Sequence, residues 1–313
     1  MQKAIIITGP TASGKTSLSI ELAKTIGGEM ISADSMQIYR SMDIGTAKPS
    51  IEEQQGIPHH LINIACPTQD FNVVLYCEMA KKCIKEITSR GKIPIIVGGT
   101  GLYINSLVYN IHFTETKEDP ELRKELSQLA TENGNQYIHD ILATMDPAAA
   151  VEIHPNNVKR VIRAIEVFKL TGIPRSINLE NSRKISSEID FLVIGLDMER
   201  SLLYERINQR VENMISDGLV DEVKSLLENH SPLSKTAVQA IGYKEIIDFL
   251  NGSFSLEECK EIIKRNSRNY AKRQMTWLKK LDDINWLSLN RETEANYALG
   301  NTLSLVGKFW EIR

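Results

Sequence analysis

The chain has 313 residues, a formal net charge of −3, 42% hydrophobic and 25% charged residues. That length exceeds a typical single domain, and the composition fits a globular core with attached pieces rather than a fibrous or disordered chain. The slight net acidity means that any polyanionic partner must be met by a local concentration of Lys and Arg.

Ala4 to Ile7 is an apolar run that predicts a strand, and Ser17 to Ile26 has the spacing of an amphipathic helix. Between them lies Gly9-Pro10-Thr11-Ala12-Ser13-Gly14-Lys15-Thr16. Strand, glycine-bounded loop with Lys-Thr, then helix is the context of a phosphate-binding P-loop. The backbone N–H groups of Thr11 to Lys15 are expected to wrap a diphosphate or longer, aided by the helix dipole. Lys15 adds a point charge, and Thr16 is the expected Mg²⁺ ligand. The start runs almost directly into a strand, so no signal peptide is expected.

Gly28 to Ala33 reads as a second strand ending in Asp34-Ser35-Met36-Gln37, which puts a carboxylate on the rim where open α/β sheets bind ligands. His59 and His60, adjacent and therefore divergent, read as turn or packing residues rather than metal ligands. Cys66, Cys77, Cys83 and Cys259 lack paired spacing, which predicts reduced thiols and no zinc site. Phe71 to Arg90 has helical spacing, and Ile93 to Val97 is a buried parallel strand ending in Gly98-Gly99-Thr100-Gly101. That turn either brings Thr100 towards a ligand or only permits tight packing.

From about Thr114 the alternation gives way to consecutive helices over Pro120–Leu129, Tyr137–Thr144, Pro147–Glu152 and Asn156–Leu170. On the last, Arg160 and Arg163 share a face apart from the apolar stripe. Phe191 to Leu196 returns to strand and Glu199 to Glu228 reads as one helix, with Arg206 and Arg210 spaced to close over a phosphate or to form a solvated face. Everything from Ser234 on is expected to be helical. Within it, 262–281 holds Lys264, Arg265, Arg268, Lys272, Arg273, Lys279 and Lys280 and no acidic residue, with Tyr270 and Trp277 among the charges. Such a stripe suits a nucleic-acid backbone with base stacking, and Arg268, Lys272 and Arg273 are its expected contacts.

The fold expected is α/β: a P-loop NTPase-like core with a parallel sheet over 1–113 and 190–230, a helical insertion over 114–189, and a helical C-terminal section over 231–313. No apolar run reaches the length of a membrane span, so a cytoplasmic monomer with no membrane partner is expected. The strand that should carry a Mg²⁺-binding Asp in a motor or signalling NTPase ends instead in Gly-Gly-Thr. Three chemistries stay open on the residues alone: nucleotide hydrolysis, phosphoryl transfer to a small acceptor, and departure of a bound diphosphate.

The motifs GPTASGKT (9–16), DSMQIYRSMDIGTAKP (34–49), PHHL (58–61), GGTGLYI (98–104), DPELR (119–123), HPNNVKRVIRAIEV (154–167), LYERINQRV (203–211), QAIGYKE (239–245) and RQMTW (273–277) resemble, in order, those of the bacterial tRNA dimethylallyltransferases. The resemblance implies transfer of a dimethylallyl group from dimethylallyl diphosphate to N6 of an adenosine 3′-adjacent to the tRNA anticodon. It implies catalytic roles for Asp34 as base and for Thr100 and Arg123 near the reacting centre. It also implies that Ser35, Met36 and Gln37 neighbour the flipped base and that Lys159, Arg160 and Arg163 face the anticodon stem-loop. Asn63, Leu278 and Asn157 depart from residues common in that family. An adenylate isopentenyltransferase and a nucleic-acid-dependent NTPase are the competing readings.

Overall fold

A computed structural model describes residues 1–111, 118–184, 188–291 and 295–311. The chain forms two compact units, one of Met1–Asn105 with Glu188–Arg313, the other of Ser106–Ser187.

The first unit opens with β1 (Gln2–Thr8), α1 (Lys15–Ile26), β2 (Gly28–Ser32), α2 (Ile51–Gln54), β3 (His59–His60), α3 (Val73–Ser89) and β4 (Ile93–Gly98); α4 (Gly101–Val108) leads out of it. The second unit holds α5 (Pro120–Asn133), α6 (Asn135–Met145), α7 (Pro147–Glu152), α8 (Val158–Thr171) and α9 (Arg175–Lys184). The chain then returns through β5 (Ile189–Met198), α10 (Arg200–Ser216), α11 (Leu219–Asn229), α12 (Tyr243–Leu250), α13 (Leu256–Leu278), β6 (Asn285–Leu289) and α14 (Ala295–Glu311).

The sheet runs β3-β2-β4-β1-β5-β6 with all pairs parallel. Its central strands are continuous apolar runs because helices cover both faces. On one face Ile5, Ile7, Ile95 and Ile194 pack against Leu18 and Leu22 of α1 and against Ala298 and Val306 of α14. A second cluster joins Ile38, Tyr39 and Met42 to α11, α12 and α13 through Val223, Tyr243 and Ile263. Parallel strands leave their carboxyl ends on one rim, so the loops after β1, β2, β4 and β5 converge there.

Contrary to the sequence expectation, the C-terminal section is not wholly helical: β6 extends the sheet beside β5, with Asn285 in register with Ile194 and Leu289 with Met198. Its five residues are too short and too polar at their flanks for periodicity to reveal. The helix expected over Glu199–Glu228 is two helices, α10 and α11, separated at Asp217 and at Gly218, where φ is +100°. α9 and the short edge strand β3 were likewise not anticipated.

The second unit has its own core, in which Leu122, Leu126, Ile138, Leu142, Val161 and Ile165 bury the apolar stripes of α5, α6 and α8. Asp119 caps α5, its carboxylate accepting from Leu122 N at 3.0 Å, and Pro120 follows at the first turn, where its missing N–H costs nothing.

Candidate active site

The loop after β1 has the shape its glycines allow. Gly14 holds φ +85° immediately before α1, and the backbone at Ala12 is left-handed as well. Lys15 folds back so that Nζ donates to Pro10 O at 2.7 Å. Burial of the ammonium, with Arg210 nearby, lowers its pKa to about 7 against a smaller opposing pull from Asp34. Arg210 on α10 donates to Thr11 Oγ1 at 3.2 Å, and burial lowers its own pKa while Asp34 raises it. Arg206 lies one turn away, with Nη1 3.9 Å from where a Cβ on Gly14 would be. The structure thus brings both arginines to the P-loop.

Asp34 stands at the end of β2. Its Oδ1 accepts from Met36 N at 2.9 Å and Gln37 N at 3.4 Å, which folds Ser35, Met36 and Gln37 into a turn behind it. Thr100, after β4, accepts from Ser35 N through Oγ1 at 3.0 Å. Tyr270 of α13 hydrogen-bonds Thr100 and Gln274, and burial together with the charge of Asp34 raises its pKa, so its hydroxyl keeps its proton.

Gln274 closes the arrangement. Its Oε1 accepts from Thr11 N at 2.9 Å and its Nε2 donates to Gly99 O at 3.0 Å, which ties the P-loop to the turn after β4. That role had no signal in the sequence beyond membership of the RQMTW motif. The same contact explains the glycines: a Cβ on Gly99 would lie 2.1 Å from Gln274 Nε2, and one on Gly98 would lie 2.2 Å from Ala33 O. The glycines are there for close packing, and Thr100 still reaches the loop of Asp34.

Two adjoining cavities share Asp34, Thr11, Arg210 and Tyr270. One, of about 150 Å³, is lined by the P-loop from Thr11 to Thr16 with Ser32, Gln37 and His59. The other, of about 250 Å³, adds an apolar wall of Ile207, Val211, Met214, Ile241 and Ile263, with Ser35, Met36 and Arg273. The shared lip at Thr46 and Ala47, with Gly45 beside it in the larger cavity, is held from a distance. Glu222 of α11 accepts from Asp43, Ile44 and Gly45 N at 2.9, 2.8 and 3.1 Å, and from Tyr243 OH at 2.5 Å. A carboxylate so far along the chain from its partners leaves no local pattern.

The basic helix reads differently in space. Lys264 pairs with Glu212 at 2.6 Å and Glu261 at 2.7 Å, so α10 supplies the anion that 262–281 lacks. Arg268 donates to Asn208 Oδ1 at 2.5 Å. Lys272 and Arg273 remain exposed. Tyr270 and Trp277 lie among those charges as expected, with Arg273 over the Tyr270 ring at 5.7 Å and Lys280 over the Trp277 ring at 6.0 Å, but neither ring is free on the surface. Together with Gln274 they follow helical spacing along the inner face, where Tyr270 lines both cavities and Trp277 packs over Gly101. The half-buried ring beside Lys272 is Tyr204, at 6.0 Å, with Arg200 over it at 5.2 Å.

In the second unit Arg123 is fully engaged. Its Nε and Nη2 form a bidentate pair with Glu166 at 2.8 Å each, and Nη1 meets Glu118 at 2.9 Å. Arg163 also binds Glu166, at 2.5 Å, whereas Lys159 and Arg160 lie on the exposed side of α8. Of the departures, Asn63 keeps a left-handed backbone and accepts from Lys48 Nζ at 2.6 Å, Leu278 is core, and Asn157 caps α8 without a side-chain bond.

Among the described residues no group of three or more His, Cys, Asp or Glu is placed to hold a metal. A Mg²⁺ ion bound here would rest on Thr16 and on phosphate oxygens, with water completing its shell, as that ion usually does beside phosphates. Thr16 on the cavity lip and the buried, unpartnered Ser13 Oγ beside it fit such a ligand.

The sequence profile of the IPPT family, described as IPP transferase, matches residues 37–281. A tRNA dimethylallyltransferase of Acetivibrio thermocellus is 54% identical over 288 residues, 92% of each chain. Among solved structures, the full-length tRNA isopentenylpyrophosphate transferase of Bacillus halodurans superimposes with a TM-score of 0.75 at 44% identity, over 99% of this chain and 98% of that one. A eukaryotic dimethylallyltransferase acting on tRNA gives a TM-score of 0.85 at 32% identity, over 100% of this chain and 80% of its own. With a profile covering most of its length and relatives above half identical, this chain belongs to the IPP transferase family.

Proposed function

We propose that the protein transfers a dimethylallyl group from dimethylallyl diphosphate to N6 of an adenosine 3′-adjacent to the anticodon of a tRNA, and releases diphosphate. The observation that carries this reading is the junction of the two cavities. A polar chamber under the P-loop opens past Asp34 and Tyr270 into an apolar one. That suits a ligand with an anionic end and a hydrocarbon end. The names of the relatives supply the acceptor class.

In this reading the P-loop amides, Lys15 and Arg210 hold the diphosphate, and Arg206 flanks its mouth. Mg²⁺, bound through Thr16, supplies neutralisation of the charge on the leaving diphosphate. The exocyclic amine is a weak nucleophile because its lone pair is delocalised into the ring, so the allylic carbon must take on positive character as its C–O bond lengthens. The N6–C1 bond forms, the C1–O pair leaves with the diphosphate, and the N6 proton passes to Asp34. Oδ1 of Asp34 is committed to the Met36 and Gln37 amides, which aims the carboxylate. Tyr270 remains a hydroxyl donor beside it. Ser35, Met36 and Gln37 frame the base, which must leave its stack to reach this depth. Lys159, Arg160, Arg163, Arg268, Lys272 and Arg273 are the proposed contacts to the anticodon stem-loop.

Among the described residues no helix is long and apolar enough to cross a membrane, in keeping with work on tRNA in the cytoplasm. Incubation with dimethylallyl diphosphate, Mg²⁺ and bulk tRNA, followed by nucleoside mass analysis, tests the proposal. The expected product is an adenosine heavier by one C5H8 unit. Product on free AMP and none on tRNA, or stoichiometric ATP consumption, overturns it.

A further inference from the structure

Among the described residues five buried side-chain N or O atoms lack a hydrogen-bond partner: Ser13 Oγ, His59 Nε2, Tyr76 OH, Asn105 Oδ1 and Thr302 Oγ1. Two of these, Ser13 Oγ and His59 Nε2, belong to residues lining the polar cavity under the P-loop. Ser13 is part of the loop itself. His59 comes from elsewhere, from the edge strand β3, in register with Met30 of β2, which lines the same cavity.

The state of the ring follows from its other nitrogen. Nδ1 lies 2.7 Å from Ile57 O, and a carbonyl only accepts, so Nδ1 carries the hydrogen. In the neutral ring Nε2 then offers a lone pair. Burial lowers the pKa of His59, against the smaller effect of the bond to Ile57, which keeps the ring neutral. A buried acceptor without a donor is costly, at about 1–3 kcal/mol.

A diphosphate oxygen is itself an acceptor and does not satisfy a lone pair. The donors that accompany a diphosphate and a divalent cation are waters, of which Mg²⁺ keeps several. In P-loop NTPases a carboxylate at the end of an apolar strand helps to hold the cation, and β4 here ends in Val97-Gly98, with Gly99 following, instead.

Resting on the diphosphate reading above, we infer that His59 is a wall of that site and that binding opens Nε2, closed to solvent in the free chain, to accept a hydrogen bond from water hydrating the bound diphosphate and its cation. It is a positioning residue, acting on the ligand through that water.

Two substitutions separate this role from a structural one. His59→Asn keeps a donor where Nδ1 stands, and so the bond to Ile57 O, but has no atom at Nε2. His59→Gln reaches the Nε2 position but loses the bond to Ile57. Inorganic diphosphate is titrated into the full chain by calorimetry, with Mg²⁺ and with EDTA, and thermal unfolding is recorded for each protein. Loss of an outer partner typically costs about 10- to 100-fold in metal affinity, so His59→Asn should lose about that much in Mg²⁺-dependent diphosphate binding. Its binding in EDTA should match the wild type, and its Tm should not fall. His59→Gln should keep most of the Mg²⁺-dependent affinity while its Tm falls.

Wild-type binding with His59→Asn unaffected overturns this inference alone. So do equal affinity losses in both variants that track Tm. A wild-type chain that binds no diphosphate overturns the diphosphate reading itself, and the inference with it.

Discussion

Lys15 should make diphosphate binding depend on pH in a way that its replacement by arginine abolishes. In the free protein its pKa is lowered to about 7, chiefly by burial and secondly by Arg210. A bound diphosphate sets negative oxygens against the ammonium and pulls that pKa back up. Below pH 7 the ammonium is already charged and affinity is flat with respect to this group. Above it, binding must take up a proton, so affinity falls by about tenfold, or about 1.4 kcal/mol, per pH unit. From about pH 7.5 to about pH 9 the protonated fraction of the free protein, and with it the affinity, drops by about 20- to 30-fold. In Lys15→Arg the guanidinium stays charged over the whole range. The ionisation of diphosphate itself is common to both proteins and cancels in the comparison. Calorimetry of Mg²⁺-diphosphate binding in buffers of different ionisation heat measures the proton directly. About one proton should be taken up by wild type at about pH 9, and none of that proton by Lys15→Arg. Identical slopes in the two proteins would refute the argument.

Asp34→Asn keeps the Oδ1 acceptor for Met36 and Gln37 N and so preserves the turn, but it cannot take a proton. Its kcat should fall by about 10²- to 10⁴-fold with donor affinity little changed, and near-wild-type turnover at ordinary Mg²⁺ would remove Asp34 from the chemistry. Gln274→Ala strands Thr11 N–H and Gly99 C=O, each worth about 1–3 kcal/mol, so both Tm and diphosphate affinity should drop; an unchanged Tm contradicts the clamp. Glu166→Gln removes the buried carboxylate shared by Arg123 and Arg163 and should destabilise the protein by about 3–5 kcal/mol in denaturant unfolding. Burial pushes the pKa of Glu166 up, but its bonds from Arg123, Asp119 N and Arg163 outweigh this and hold it below the ordinary value. The stabilisation from Glu166 is therefore complete above the usual carboxylate pKa and fades only as pH falls through the lowered one.

Features whose cause is local were legible from sequence. The P-loop depends on glycines within one turn, and Asp34 on a strand that ends where periodicity says it does. Features that join distant parts of the chain were not. Glu222 and Gln274 are single polar residues on helices, and nothing beside them announces the backbone groups they hold. Tyr270 was read with the charges around it, and Arg273 does lie over its ring, but that it also lines both cavities follows from what packs against α13. The cations of that helix were counted without Glu212, which comes from the neighbouring helix. His59 was read as a turn or packing residue, and only its place in the cavity lining and its unpartnered Nε2 distinguish a wall from a filler.

The bonds from Gln274 span 263 residues to Thr11 and 175 to Gly99. Translation delivers the P-loop long before its clamp, with the whole of the second unit made in between. A nascent chain therefore carries the phosphate motif long before it has a rigid phosphate site, and contacts of such sequence separation close slowly. Ribosome-bound chains stalled before α13 should leave the loop unsecured, so the capacity to hold a diphosphate waits on the synthesis of that helix.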